Sequence, residues 1–198
     1  MIPSLASHVN PRLLLILSLA PFLQAAAPEG NATKTAKVTF YLSGVECQGC
    51  AYSVNNAISQ LKGVGEVVSG QWVDDFVNVT FDPRVVSVHQ LAHAVSDATA
   101  LHGVPYQAFL KLTFPDYARE GNARKVDALL QGWSDWAEIE VFDRSKGRFA
   151  LKFRPLKPGL QAGGPQGLSL EKIIEAATAP VPRGIGLRLE IAAAKEPM

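Results

Sequence analysis

Hydrophobic and polar residues follow different spacings along the segment from Lys37 to Phe109, and each spacing predicts an element. Alternation over residues 37–42 is typical of a strand with one buried face, and helical spacing follows it. The complete set of predicted elements consists of strands over 37–42, 66–72, 76–81 and 105–109, and helices over 50–62 and from the N-cap Ser87 onward. The predicted order is therefore βαββαβ.

The same hydrophobic pattern returns later in the chain at an offset of 72 residues. Val38 corresponds to Leu110, and Ile58 on the helical face corresponds to Leu130. An insertion at 157–167, rich in glycine and proline, then raises the offset to 82. Because a repeated pattern indicates a repeated structural unit, we predict a tandem duplication. Each unit of this α+β fold would have an antiparallel sheet with two helices on one face.

The two predicted units meet without a linker. The last strand of the first unit ends at Phe109, and the first strand of the second unit begins at Leu110. Either one long strand serves both sheets, or the units meet at a sharp bend. We predict that the two domains cover residues 37–109 and 110–193.

The N-terminal residues 1–26 predict a secretory signal peptide. Arg12 is their only Lys or Arg, and the apolar stretch 13–23 is about 11 residues long, against roughly 20 for a membrane span. Residues 27–36 then form a flexible lead-in. We expect a periplasmic or secreted protein without stable membrane insertion after signal cleavage, and an uncleaved signal anchor is the alternative.

Composition and the absence of known motifs exclude several classes of function. Of the 198 residues, 47% are hydrophobic and 19% are charged, so a mainly disordered chain is excluded. The net charge of +1 does not suggest a nucleic-acid partner. The sequence also lacks a nucleophile–base constellation, a phosphate-binding loop and a dinucleotide fingerprint. We therefore predict a binding protein and not an enzyme.

The turn between the first predicted strand and the first helix contains both cysteines of the chain, Cys47 and Cys50, in a CxxC motif. A helix N-terminus stabilises a thiolate and thereby lowers the pKa of a cysteine placed there. Two thiolates this close together can bind one soft metal ion, such as Cu(I) or Hg(II). A site in a turn also stays open to solvent, which suits transfer of the ion by ligand exchange.

A βαββαβ unit with a CxxC motif between its first strand and first helix resembles the heavy-metal-associated domain family, which includes copper chaperones and a periplasmic mercury-binding protein. The resemblance covers about residues 36–110 with the motif, and the second unit without it. It implies two tandem ferredoxin-like units and a metal ion held by Cys47 and Cys50. It also implies that the ion is sequestered or is transferred to a membrane metal transporter.

Two departures from the family pattern lie beside the cysteines. Val45 and Glu46 stand where the family usually has methionine and then threonine or histidine. An acid beside the first cysteine resembles the zinc-, cadmium- and lead-transporting branch, in which an aspartate supplies an oxygen ligand. Glu46 is therefore a candidate third ligand and Zn(II) a candidate ion. The alternative is that Glu46 points to solvent.

The loop between the second helix and the last strand of the first unit departs from the family as well. The aromatic residue expected after Gly103 is absent, because Val104 and Pro105 follow. His102 lies in this loop, which in the family fold comes near the metal loop, and some cyanobacterial copper chaperones use a loop histidine. His102 is therefore a further candidate ligand, and an exposed loop histidine is the alternative.

Other conspicuous residues are assigned to packing or to solvent. Arg119 and Asn122 replace the cysteines in the second unit, which is therefore predicted to be a docking module or a structural brace. His89 and His93 share a helix face that we expect to face water, because Leu91 and Val95 mark the buried face. Trp133 takes a core position.

Two other functions stay open. The cysteine pair can oxidise to a disulfide, which would leave a non-metal scaffold or protein-interaction module. The pair could instead be a redox centre, but the larger α/β pattern of a thioredoxin-like protein is absent. Counting free thiols and metal ions on one sample distinguishes the metal site from the disulfide.

Overall fold

The structure is a computed structural model that describes residues 34–70, 76–157 and 164–194. The predicted signal peptide, most of the lead-in and the middle of the predicted insertion lie outside these residues.

In the described part of the chain, seven strands and four α-helices form an α+β arrangement. The strands are β1 (Ala36–Ser43), β2 (Val64–Ser69), β3 (Phe76–Phe81), β4 (Gln107–Thr113), β5 (Ala137–Asp143), β6 (Arg148–Phe153) and β7 (Glu190–Ile191). The helices are α1 (Gln48–Ser59), α2 (Val88–Asp97), α3 (Asn122–Gln131) and α4 (Leu170–Thr178). None of these helices has both the length and the hydropathy needed to cross a membrane.

The start of α1 differs from the prediction for a local reason. Helical spacing predicts a start at Cys50, whereas the helix begins at Gln48. The preceding residue, Cys47, is the N-cap, and its extended backbone turns the chain into the helix. Because a side-chain cap leaves no trace in the apolar spacing, the first turn was not predicted.

The strands form one antiparallel sheet in the order β2-β3-β1-β4-β6-β5, with β7 also paired to β4. Strand β4 is paired on both edges: Tyr41 of β1 lies opposite Phe109, and Leu151 of β6 lies opposite Leu110. Of the two predicted junctions, the structure therefore has the long strand that serves both halves. The predicted domain boundary between residues 109 and 110 falls inside this strand.

The strand order is the same on the two sides of β4. The first half reads β4-β1-β3-β2, and the second half reads β7-β4-β6-β5. Each half has the ferredoxin-like order of elements, so the predicted α+β fold class is confirmed. That the second half arose as a copy of the first stays a prediction.

Alternation along β1 defines the buried face of the sheet. Val38 and Phe40 are 4% and 0% exposed, and they belong to one continuous apolar core. The rings of Phe40 and Phe153 meet edge to face with their centroids 6.1 Å apart, so the core runs across both halves. Trp133 is buried within this core, as predicted, with 8% exposure.

The N-terminus of α2 is capped as its sequence predicts. The Ser87 hydroxyl accepts a hydrogen bond from the Gln90 amide, and the Gln90 side chain accepts one from the Ser87 amide, which completes a capping box. The Ser87 hydroxyl also donates to the Gln166 carbonyl. This contact brings the end of the predicted insertion against the first turn of the helix.

The expectation that His89 faces water is wrong. His89 is 1% exposed; its Nε2 donates to the Arg154 carbonyl at 2.6 Å, and its Nδ1 accepts from the Leu168 amide at 3.3 Å. The covering residues follow β6 in the second half, so the helical period of α2 could not reveal them. His93 is also largely covered, with 12% of its side chain exposed, and its Nε2 lies 3.3 Å from an Asp97 carboxylate oxygen.

The environment of His89 predicts that the folded protein loses stability in acid. Burial lowers the pKa of His89, and so does the nearby His93, although the hydrogen bond to the Arg154 carbonyl raises it. The folded protein thus binds fewer protons than the unfolded chain just below pH 6.5, and its stability falls as the pH falls through that value.

We expect the free energy of unfolding, measured with urea, to fall when the pH is lowered from 7.5 to 5.5. The decrease should be smaller in His89→Gln than in the wild type. At pH 7.5 the substitution should itself cost about 1–3 kcal/mol, because buried hydrogen bonds are lost. An equal acid-induced loss in both proteins would contradict this account.

Candidate metal centre

Local capping places the two cysteines on one turn of α1. The Cys47 sulfur accepts a hydrogen bond from the Cys50 amide at 3.1 Å, and the Cys47 carbonyl accepts one from the Ala51 amide at 3.1 Å. With two residues between them, the second cysteine falls in the first helical turn, directly beside the first. Cys50 is fully buried, whereas Cys47 is partly exposed.

Both cysteines are free thiols, and their sulfur atoms lie 2.8 Å apart. Two sulfurs that each lie about 2.3 Å from a tetrahedral ion are about 3.8 Å apart. The pair must therefore open by about 1 Å to take such an ion. Cys47 is the more exposed of the two cysteines.

The loop between α2 and β4 brings a third ligand atom to the cysteines. His102 Nε2 lies 3.3 Å from the Cys47 sulfur, and the ring is exposed. The ligand atoms of Cys47, Cys50 and His102 all lie within 4.8 Å of one another. No other such group of three occurs among residues 34–70, 76–157 and 164–194. The family resemblance implies that this loop lies near the cysteines, and the structure places it there. The role of His102 as a metal ligand stays a prediction.

The other candidate ligand, Glu46, is exposed and does not belong to this group. Its neighbour Val45 is 9% exposed and packs into the core. Val45 therefore holds the turn that carries Cys47 against the core.

A residue that the sequence reasoning missed, Tyr106, lies beneath the cysteines. It is 2% exposed, its Oη accepts a hydrogen bond from the Leu101 amide at 3.1 Å, and its side chain lowers the pKa of the Cys50 thiol. The expected aromatic after Gly103 is indeed missing, but Tyr106 supplies one three residues later. The only signal was a tyrosine at the start of a predicted strand.

Gly44 allows the two loops of the centre to lie back to back. Its φ of +85° is in the region that glycine adopts without strain, and a Cβ here would lie 2.8 Å from the Pro105 carbonyl oxygen. Any side chain would push the cysteine turn away from the loop that carries His102.

The electrostatics of the pair favour a thiolate. Burial raises the pKa of the Cys50 thiol, but hydrogen bonds from the side chains of Cys47 and Tyr106 and from the backbone of Glu46 and Cys47 lower it. The net pKa of Cys50 falls from 9.0 to about 7. A substantial thiolate fraction is therefore available to a metal ion at neutral pH.

The corresponding turn of the second half is stabilised by polar contacts. Asn122, 72 residues after Cys50, donates to the Asp116 carbonyl at 2.9 Å. Arg119, 72 residues after Cys47, forms an ion pair with Asp116 at 3.2 Å. This turn has no thiolate and cannot reproduce the site.

Comparison with known proteins agrees with this geometry. Residues 39–100 match the heavy-metal-associated domain family. The mercuric transport protein periplasmic component of Pseudomonas aeruginosa is 38% identical over 84 residues, which make up 42% of this chain and 88% of that protein. On these two sequence matches, the chain belongs to the heavy-metal-associated domain family.

Two solved structures from Bacillus subtilis are also similar, each at 13% sequence identity. The water-soluble region of the P-type ATPase CopA has a TM-score of 0.35, and the match covers 80% of this chain and 92% of that one. The solution structure of the N-terminal soluble domains of CopA has a TM-score of 0.34, with coverage of 81% and 95%.

The hydrogen bond from Cys47 leads to a prediction for the metal-free protein. In Cys47→Ala, Cys50 is the only thiol, and we expect its pKa to rise above about 7 because a donor to its thiolate is lost. The ultraviolet absorbance of the thiolate, followed against pH, measures this shift. A midpoint at or below about 7 in the variant would show that Cys47 does not stabilise the thiolate.

Proposed function

We propose that the protein binds one soft metal ion through Cys47 and Cys50 in an exported compartment, either to sequester it or to deliver it to a membrane metal transporter. The observation that carries this proposal is the convergence of three ligand atoms within 4.8 Å at the start of α1. Membership of the heavy-metal-associated family supports it.

The ligand set favours Cu(I) or Hg(II). Two thiolates satisfy these soft ions, and the similarity to a mercuric transport protein supports Hg(II) in particular. Zn(II) is the third candidate, since it takes about four ligands and would need His102 and a further donor such as water beside the two sulfurs. Glu46, outside the cluster, is the less favoured source of that donor.

Delivery to a partner is supported by the surface around the centre. Cys47 and His102 are accessible, so an incoming thiolate can attack the bound ion from that side. Tyr52 lies two residues after Cys50 in the chain, and the Leu101 side chain lies over Gly49 of the CxxC turn. These two residues are 74% and 52% exposed. Exposed apolar residues of this size beside a site suit contact with another protein.

The central test is metal titration of the mature chain. The protein is purified anaerobically and reduced, and Cu(I), Hg(II) and Zn(II) are titrated separately against a competing chelator. We expect binding of one ion per chain. In the Cys47→Ser/Cys50→Ser double variant, metal affinity should fall by more than about a hundredfold. Loss of a residue that only hydrogen-bonds a metal ligand already costs up to about a hundredfold, and here the ligands themselves are removed.

Arg119→Ser is the matched control, because it introduces serine at the equivalent position of the second half and should leave binding unchanged. If the wild type binds each ion no better than the double cysteine variant, the metal-binding proposal is wrong. If free-thiol counting on protein isolated without reductant then finds no thiols, the disulfide scaffold is the alternative that this result supports.

Export is tested separately by cell fractionation. We expect the full chain to be found outside the cytoplasm, shortened by about 26 residues, because residues 1–26 have the features of a cleaved signal. A chain lacking residues 1–26 should stay in the cytoplasm. Full-length protein in the cytoplasmic fraction would contradict the proposed location.

A further inference from the structure

One buried hydroxyl holds the loop that carries His102. Tyr106 Oη accepts a hydrogen bond from the Leu101 amide at 3.1 Å, and Tyr106 is 2% exposed. Leu101 directly precedes His102 in the chain. The buried oxygen therefore contacts the backbone beside the histidine.

The segment that carries His102 needs such an anchor. Every residue from Leu101 to Pro105 is exposed, and Gly103 has a φ of +76° with nothing within 4 Å of where a Cβ would be. An exposed loop loses conformational entropy when it is held in one arrangement. The bond from the Leu101 amide fixes the backbone one residue before the histidine and so limits where the ring can lie.

A second contact keeps this loop on the helix. The Leu101 side chain lies over Gly49, where a Cβ would be 2.9 Å from Leu101 Cδ1 and 3.6 Å from the Cys47 sulfur. Leu101 is thus fixed by its backbone amide on Tyr106 and by its side chain on the CxxC turn.

We propose that Tyr106 is a positioning residue that holds His102 beside Cys47 and so shifts the preference of the site toward ions that take a third, nitrogen ligand. The inference rests on the proposed function, metal binding at Cys47 and Cys50. Zn(II) gains from an imidazole ligand, whereas an ion satisfied by two sulfurs, such as Hg(II), gains little. Tyr106 therefore acts on the choice of ion through the histidine.

The test compares Tyr106→Phe, His102→Ala and the double variant with the wild type. We expect Tyr106→Phe to lower Zn(II) affinity by about tenfold more than Hg(II) affinity, because an effect on the Cys50 thiolate is common to both ions whereas loss of a partner that orients His102 affects Zn(II). The double variant should match His102→Ala in its preference between Zn(II) and Hg(II), because without the histidine there is nothing left to position.

Tyr117→Phe is the matched control. Tyr117 is also a buried tyrosine, at 4% exposure, and its hydroxyl bonds Asp127 and Arg144 in the second half. This variant should bind both ions as the wild type does. Amide hydrogen exchange of the metal-free proteins gives an independent readout, since exchange at Leu101 and His102 should become faster in Tyr106→Phe and stay unchanged in Tyr117→Phe.

The possible failures are distinguishable. Equal losses for Zn(II) and Hg(II), or a preference between the ions that shifts further in the double variant than in His102→Ala, would mean that Tyr106 acts on the cysteines and not through His102, and would overturn the inference. Unchanged exchange at Leu101 in Tyr106→Phe would overturn it as well. A wild type that binds no ion better than Cys47→Ser/Cys50→Ser would instead overturn the proposed function, and the inference with it.

Discussion

Hydrogen bonding on both edges of β4 is the constraint on which the rest of the described structure depends. A strand held between β1 and β7 on one edge and β6 on the other cannot change register without breaking several pairings at once. Tyr106 lies immediately before this strand, and His102 lies in the loop that enters it. Cys47 and His102 are open to solvent, but the buried residue beneath them is attached to a strand that pairs with three others.

Burial and hydrogen bonding oppose each other at Cys50. Burial alone would keep this sulfur protonated, and a protonated thiol is a poor metal ligand. Hydrogen bonds from Cys47 and Tyr106 reverse the balance, so the site combines a dry sulfur with a thiolate that forms near neutral pH. Cys47, with more access to solvent, is the sulfur that an incoming partner can reach.

Local patterns were enough to predict most of the elements and the place of the cysteines. The alternation in β1, the capping serine of α2 and the CxxC spacing each depend on residues near one another in the chain. The failures involve contacts between distant residues. His89 is covered by Arg154 and Leu168, which lie 65 and 79 residues away, and a helical period carries no information about them. Tyr106 was missed because no sequence pattern shows that its hydroxyl meets the Leu101 amide beside the candidate centre.

The shared strand also determines how many sheet edges the protein exposes. Two separate four-stranded sheets would have four outer strands whose backbone groups could pair with other chains. Here the outer side of β4 in the first half is occupied by β6. The segment after β7 turns toward β1, where the Ala194 amide donates to the Thr39 hydroxyl at 3.3 Å. In the described sheet, the second half thus covers the edge of β4 that the first half would leave open, and β2 and β5 lie at the two ends of the main strand order, where unwanted strand pairing could begin.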